Sequence, residues 1–97
     1  MQVLTPADLK SDKKVILYGA THCPYCSKAK ALLTSLNVEF EYRGTDVSDQ
    51  FEKERAALGK HLNYETIPMI FVKNQFIGGN SDLHALHEKG GLLPMLN

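Results

Sequence analysis

Ninety-seven residues, 43% of them hydrophobic, make one domain with a single modest core and leave no room for a second. Eleven basic and eleven acidic side chains cancel to a formal charge of zero, which gives no support for a nucleic-acid tail or a polybasic membrane anchor. No apolar run reaches the length of a signal peptide or a membrane span, so the expectation is a cytoplasmic chain.

Residues 1–14 read as an N-terminal extension in which Thr5 caps a short helical turn begun by Pro6. Val15-Ile16-Leu17-Tyr18 is an unbroken apolar run of strand formers, the pattern of a strand covered on both faces. It ends at Gly19-Ala20-Thr21. After Pro24, the residues Ala29, Leu32, Leu33 and Leu36 fall at i, i+3, i+4 and i+7, which predicts a helix with Asn37 as its terminator. Val38, Phe40 and Tyr42 then alternate with Glu39, Glu41 and Arg43, as expected for a half-buried strand. Strand, helix and strand together predict a right-handed βαβ unit.

Ser48 is placed to cap a second helix running to about His61, with Phe51, Leu58 and Leu62 inward and Glu52-Lys53-Glu54-Arg55 as a solvated outer face. Met69-Ile70-Phe71-Val72 and Phe76-Ile77 flank the polar Lys73-Asn74-Gln75 and read as a β-hairpin closed by Gly78-Gly79. Asn80 or Ser81 caps a third helix carrying Leu83 and Leu86, which Gly90-Gly91 stops. The order β-α-β-α-β-β-α predicts an α/β domain with a four-stranded mixed sheet flanked by helices. Leu92, Leu93, Met95 and Leu96 are expected to pack back onto it.

The chemistry concentrates in His22-Cys23-Pro24-Tyr25-Cys26, which holds the only two cysteines of the chain. A lone cysteine pair in a reducing compartment points to catalysis or metal binding before a structural staple. Cys23 sits where the first strand hands over to the helix, so its sulfur can face the free N–H groups of Tyr25 and Cys26, and Pro24 suits the first helical position. The helix terminus contributes roughly 0.3 to 2 kcal/mol, enough to lower a thiol pKa by about one. Any larger depression needs direct N–H to sulfur bonds, with help from Lys28 or a protonated His22. Cys23 is then the nucleophile and Cys26 the resolving thiol, attacking from within once Cys23 has formed a mixed disulfide. Two other readings stand beside this one: a pair of ordinary buried thiols, and a zinc site completed by histidines 22, 61, 84 and 87, of which His84 and His87 share a helix face.

Three separated motifs carry a resemblance. Cys23-Pro24-Tyr25-Cys26, Thr66-Ile67-Pro68 and Gly78-Gly79-Asn80-Ser81-Asp82-Leu83 together resemble, in order and spacing from about Val15 to Leu96, the dithiol Cys-Pro-Tyr-Cys class of glutaredoxins within the thioredoxin superfamily. The resemblance implies a thioredoxin-like fold and a cis Pro68 opposite the cysteines, with the residue 67 backbone free to pair with a substrate peptide. It further implies a glutathione site. Asn80, Ser81 and Asp82 would hold the γ-glutamyl end, Thr66, Ile67 and Pro68 the peptide backbone, and Tyr25 a wall of the groove. Two departures matter: family members often carry a Lys where this chain has Ala20, and a basic residue where it has Glu65. Both remove positive charge near the glycine carboxylate of glutathione, and Arg55, at a family position that is usually Gln or Arg, would supply that contact instead.

The function implied is a glutathione-dependent thiol-disulfide oxidoreductase acting on disulfide-containing or glutathionylated proteins. Glutathione is its co-substrate, and it is a monomer with no tightly bound cofactor, metal, membrane or nucleic-acid partner. Two alternatives accompany it. One is a redoxin of the same build reduced by a flavoprotein reductase, and the other is a binding module that carries an iron-sulfur cluster on Cys23 and glutathione across a dimer.

Overall fold

The computed structural model describes residues 4–96, so residues 1–3 of the N-terminal extension and residue 97 lie outside the described residues. Strand β1 spans Val15–Gly19, β2 Phe40–Gly44, β3 Met69–Val72 and β4 Gln75–Gly78. Helix α1 spans Pro24–Ser35, α2 Asp49–Leu62, α3 Asn80–Glu88 and α4 Leu92–Leu96. The sheet order is β2-β1-β3-β4, with β1 parallel to β2 and antiparallel to β3, and β3 antiparallel to β4. This is the mixed four-stranded sheet that the element order predicted.

The unbroken apolar run of β1 has its explanation in two cores, one on each face of the sheet. Val15 and Leu17 meet Ala29 and Leu33 of α1, Leu83 of α3 and Leu92 of α4. Ile16 and Tyr18 point the other way, to Leu58 of α2, Met69, Phe71 and Leu9. Each fully buried aliphatic side chain contributes about 1.5–3 kcal/mol, so the central strand serves both layers at once. Rings continue the second core, Tyr18 edge-on to Phe71 at 5.9 Å and Tyr64 edge-on to Phe76 at 4.9 Å. Met95 and Leu96 pack against the first core as expected, whereas Leu93 is exposed.

Lys73 and Asn74 both have positive φ, 49° and 67°, and form the two-residue turn that joins β3 to β4. Asn74 also donates to the carbonyls of Pro6 and Leu9 at 2.9 and 2.7 Å, which docks the N-terminal segment onto the hairpin. That segment contains a single 3-10 turn, Pro6–Asp8, in which the Asp8 carboxylate accepts the Thr5 N–H and hydroxyl, each at 2.9 Å.

Arg43 departs from the sequence reading. It is buried, not solvated, because α2 covers the second face of β2. Its guanidinium donates to the Tyr18 hydroxyl at 2.7 Å, to Glu54 at 2.9 Å and to the Lys10 carbonyl at 2.7 Å, and it pairs with Glu41. Glu54 in turn accepts the Tyr18 hydroxyl at 2.7 Å, so one member of the charged run assigned to the outer face is drawn inward. Burial, reinforced by the Glu54 carboxylate, pushes the Tyr18 phenol far above its ordinary pKa. Buried charge is tolerated here because nearly every donor has an acceptor.

Candidate active site

Strand direction brings three distant segments to one edge. The β1 end at Tyr18 pairs with Met69 at the start of antiparallel β3, so the segment ending in Pro68 arrives beside the turn that leads to Cys23. Gly78, at the end of β4, pairs with Ile70, and α3 starts two residues later on the same side.

Cys23 is the N-cap of α1, in extended backbone conformation, and Pro24 is the first helical residue. Its sulfur accepts the Cys26 N–H at 3.2 Å, one of the two N–H contacts the sequence suggested. Cys23 and Cys26 are joined as a disulfide with their α-carbons 5.2 Å apart; Cys26 is buried and Cys23 is partly exposed. The outer sulfur is therefore the more accessible of the two. Tyr25 is 58% exposed, and the Lys28 ammonium lies 5.3 Å from its ring centroid. The turn before Cys23 is tied down by Asp46, whose carboxylate accepts the Thr21 N–H at 3.0 Å. Hydrogen bonds from the Thr21 hydroxyl and backbone hold Asp46 below the ordinary carboxylate pKa.

The Ile67–Pro68 peptide bond is cis. Thr66, Ile67 and Pro68 line a groove of about 420 Å³ together with Tyr25, Tyr64, Gly79, Asn80 and Ser81. Six of the residues singled out in the sequence thus meet around one groove: Tyr25, Thr66, Ile67, Pro68, Asn80 and Ser81. Asp82 and Arg55 do not line it. The Asp82 carboxylate accepts the Gly79 N–H at 3.0 Å, and Gly79, not Asn80 or Ser81, is the N-cap of α3. The shift has a local reason: Gly78 at φ +125° turns the chain so sharply that the helix begins at Asn80, and a Cβ on Gly78 would collide with the Asp82 carboxylate. Arg55 forks onto Glu52 with both bonds at 2.9 Å and lines a separate groove with Gly59, Lys60, Tyr64 and Glu65. The Glu52 hydrogen bond, with a lesser contribution from Glu65, raises its pKa.

Tyr64 was missed in the sequence. It is the wall between the two grooves, and its hydroxyl lies so near Gly79 that a Cβ there would stand 2.7 Å from it. The available signal was an aromatic residue two positions before Thr66-Ile67-Pro68. Among the described residues no group of three or more His, Cys, Asp or Glu is placed to hold a metal ion, and no helix is long and apolar enough to cross a membrane.

Residues 15–77 match the family model described as Glutaredoxin. The chain is 38% identical over 87 residues to "Glutaredoxin-2, mitochondrial" of Homo sapiens, covering 90% of this chain and 53% of that protein. It spans about half the length of the mammalian curated relatives it matches. Among solved structures, the dithiolic glutaredoxin 2-C-Grx1 of Trypanosoma brucei brucei has a TM-score of 0.81 at 34% identity, covering 88% of each chain. A buckwheat glutaredoxin-glutathione complex has a TM-score of 0.81 at 28% identity, covering 87% of this chain and 76% of that one.

Proposed function

The chain belongs to the glutaredoxin family, and from that premise we propose that it is a glutathione-dependent thiol-disulfide oxidoreductase acting on protein disulfides and on glutathionylated proteins. The observation that carries the reading is the Cys23–Cys26 disulfide, with its outer sulfur partly exposed at a helix start and its inner sulfur buried.

In the dithiol route the Cys23 thiolate attacks one sulfur of a protein disulfide, forms a mixed disulfide and releases the other sulfur as a thiolate. Cys26 then attacks the Cys23 sulfur, expelling the second protein thiolate and closing the internal disulfide. Two glutathione molecules reopen it and leave as glutathione disulfide. In the monothiol route Cys23 takes the glutathionyl group from a glutathionylated protein, and a second glutathione attacks that mixed disulfide, regenerating the Cys23 thiolate. The Cys26 N–H stabilises the thiolate as it leaves in both routes.

The groove beside the pair suits a tripeptide thiol. The backbone at Thr66 and Ile67, before Pro68, offers strand-like pairing, Tyr25 a wall, and Asn80 and Ser81 the start of α3 for a carboxylate. Asp82 would meet the ammonium from its capping position. Arg55 reaches a ligand carboxylate by exchanging Glu52 for it. The same reading keeps the chain cytoplasmic and monomeric, with no tightly bound cofactor.

A coupled glutathione assay on the wild type, Cys23→Ser and Cys26→Ser is the test. Cys23→Ser should be inactive in both routes, and Cys26→Ser should lose reduction of protein disulfides while keeping deglutathionylation. Loss of deglutathionylation in Cys26→Ser would refute the division of roles.

A further inference from the structure

One buried polar group near the disulfide's inner end is used by neither route. The hydroxyl of Tyr42, on β2, is buried and has no hydrogen-bond partner. A Cβ built on Gly19 would stand 2.9 Å from the Cys26 sulfur and 3.2 Å from Tyr42 Cε1, so the missing side chain of Gly19 is what leaves sulfur and ring facing one another. Sulfur and ring carbon are thus at most about 6 Å apart. An orphaned buried hydroxyl is costly, and the group that faces the Cε1 edge of its ring across Gly19 is the sulfur of Cys26, which changes its bonding with redox state.

We propose that the Tyr42 hydroxyl is the hydrogen-bond donor that stabilises the Cys26 thiolate when the Cys23–Cys26 bond is open. The inference rests on the reading that this pair cycles between disulfide and dithiol. In the disulfide the inner sulfur is bonded to Cys23 and is a weak acceptor. Two glutathione thiols break that bond, become glutathione disulfide and leave their two protons to be shared between the cysteines and solvent. Cys26 must then lose its proton to attack the next mixed disulfide at Cys23. Burial disfavours the anion, so a local donor is needed where water is excluded.

The neighbours of Tyr42 fit a donor. The Lys30 ammonium lies 4.2 Å from the ring centroid and holds the ring in place by a cation–π contact. Burial, aided by the charge of Asp46, raises the phenol pKa and keeps the proton in place.

The experiment is Tyr42→Phe, which keeps the ring, its packing and the Lys30 contact. The equilibrium constant for reduction of the internal disulfide, measured against dithiothreitol and against glutathione buffers, should fall about tenfold. In a Cys23→Ser background the thiolate absorbance of Cys26 near 240 nm should titrate at higher pH when Tyr42 is Phe. An unchanged equilibrium together with an unchanged titration overturns the proposal, as does a shift toward the dithiol. A wild type that equilibrates with dithiothreitol but is inert to glutathione counts against the proposed function alone, since the dithiothreitol arm still reads Tyr42.

Discussion

The carboxylate of Asp46 accepts the backbone N–H of Thr21 at 3.0 Å, joining the loop after β2 to the turn that delivers Cys23. Thr45 adds a second tie, its N–H and hydroxyl donating to the Gly19 carbonyl at 2.7 and 3.1 Å. Cys23 is therefore aimed by β2 as well as by the helix that it caps.

Asp46 makes this tie pH-dependent. Its pKa in the fold lies below its ordinary value of 3.8, first because of the Thr21 hydrogen bonds, so its stabilisation is complete above the unfolded value and is lost as pH falls through the folded one. The urea midpoint of the wild type should exceed that of Asp46→Asn by a constant margin down to about pH 5 and converge with it below about pH 4. A margin that grew on acidification would contradict the assignment.

Arg43 predicts a large stability effect. Arg43→Ala removes one guanidinium and leaves Tyr18, Glu41 and Glu54 without its donors in a partly dry site, at a cost of about 2–4 kcal/mol by urea denaturation. Arg43→Met keeps the stem over Tyr18 and should lose less. Equal losses in the two variants would mean that packing contributes little.

Gly19 is required by space. Gly19→Ala forces a methyl between the Cys26 sulfur and the Tyr42 ring, at 2.9 and 3.2 Å, and should destabilise the protein by about 1–3 kcal/mol in thermal or urea unfolding. Wild-type stability in that variant would show that the inner sulfur has room to move aside.

On the proposed function, charge at Ala20 and Glu65 is expected to set glutathione affinity. Arg55 must give up Glu52 to meet a ligand carboxylate, whereas Ala20→Lys or Glu65→Lys would add a cation without that exchange. Either substitution should lower the Michaelis constant for glutathione by about two- to fivefold at low salt, with the gain shrinking as salt rises. An unchanged or higher constant in both variants would remove charge as the reason for the departure.

Much of the fold was legible because each element carried its own period. The apolar run of β1, the i, i+3, i+4, i+7 stripe of α1 and the polar turn at Lys73-Asn74 each correspond to an observed element. Arg43 misled because its alternation is real but alternation says only that two faces differ, and α2 covers the second face with polar partners instead of water. The α3 cap misled by one residue, since Asn80 and Ser81 are good capping types while a left-handed Gly78 decides where the helix starts. Tyr64 carried no periodic signal at all.

The sequence by itself determined the thiol pair, its place at a helix start and the three motifs that name the family, because these depend on residues adjacent in the chain. Only the tertiary structure decided that Arg55 is held by Glu52 and Asp82 by Gly79, that Tyr64 divides two grooves, and that Gly19 leaves the Cys26 sulfur facing the ring of Tyr42, whose hydroxyl is unpaired. The reason is physical. Hydrogen-bond partnership and free space are properties of groups brought together across strands, and a linear pattern records which groups exist, not which of them are already spoken for.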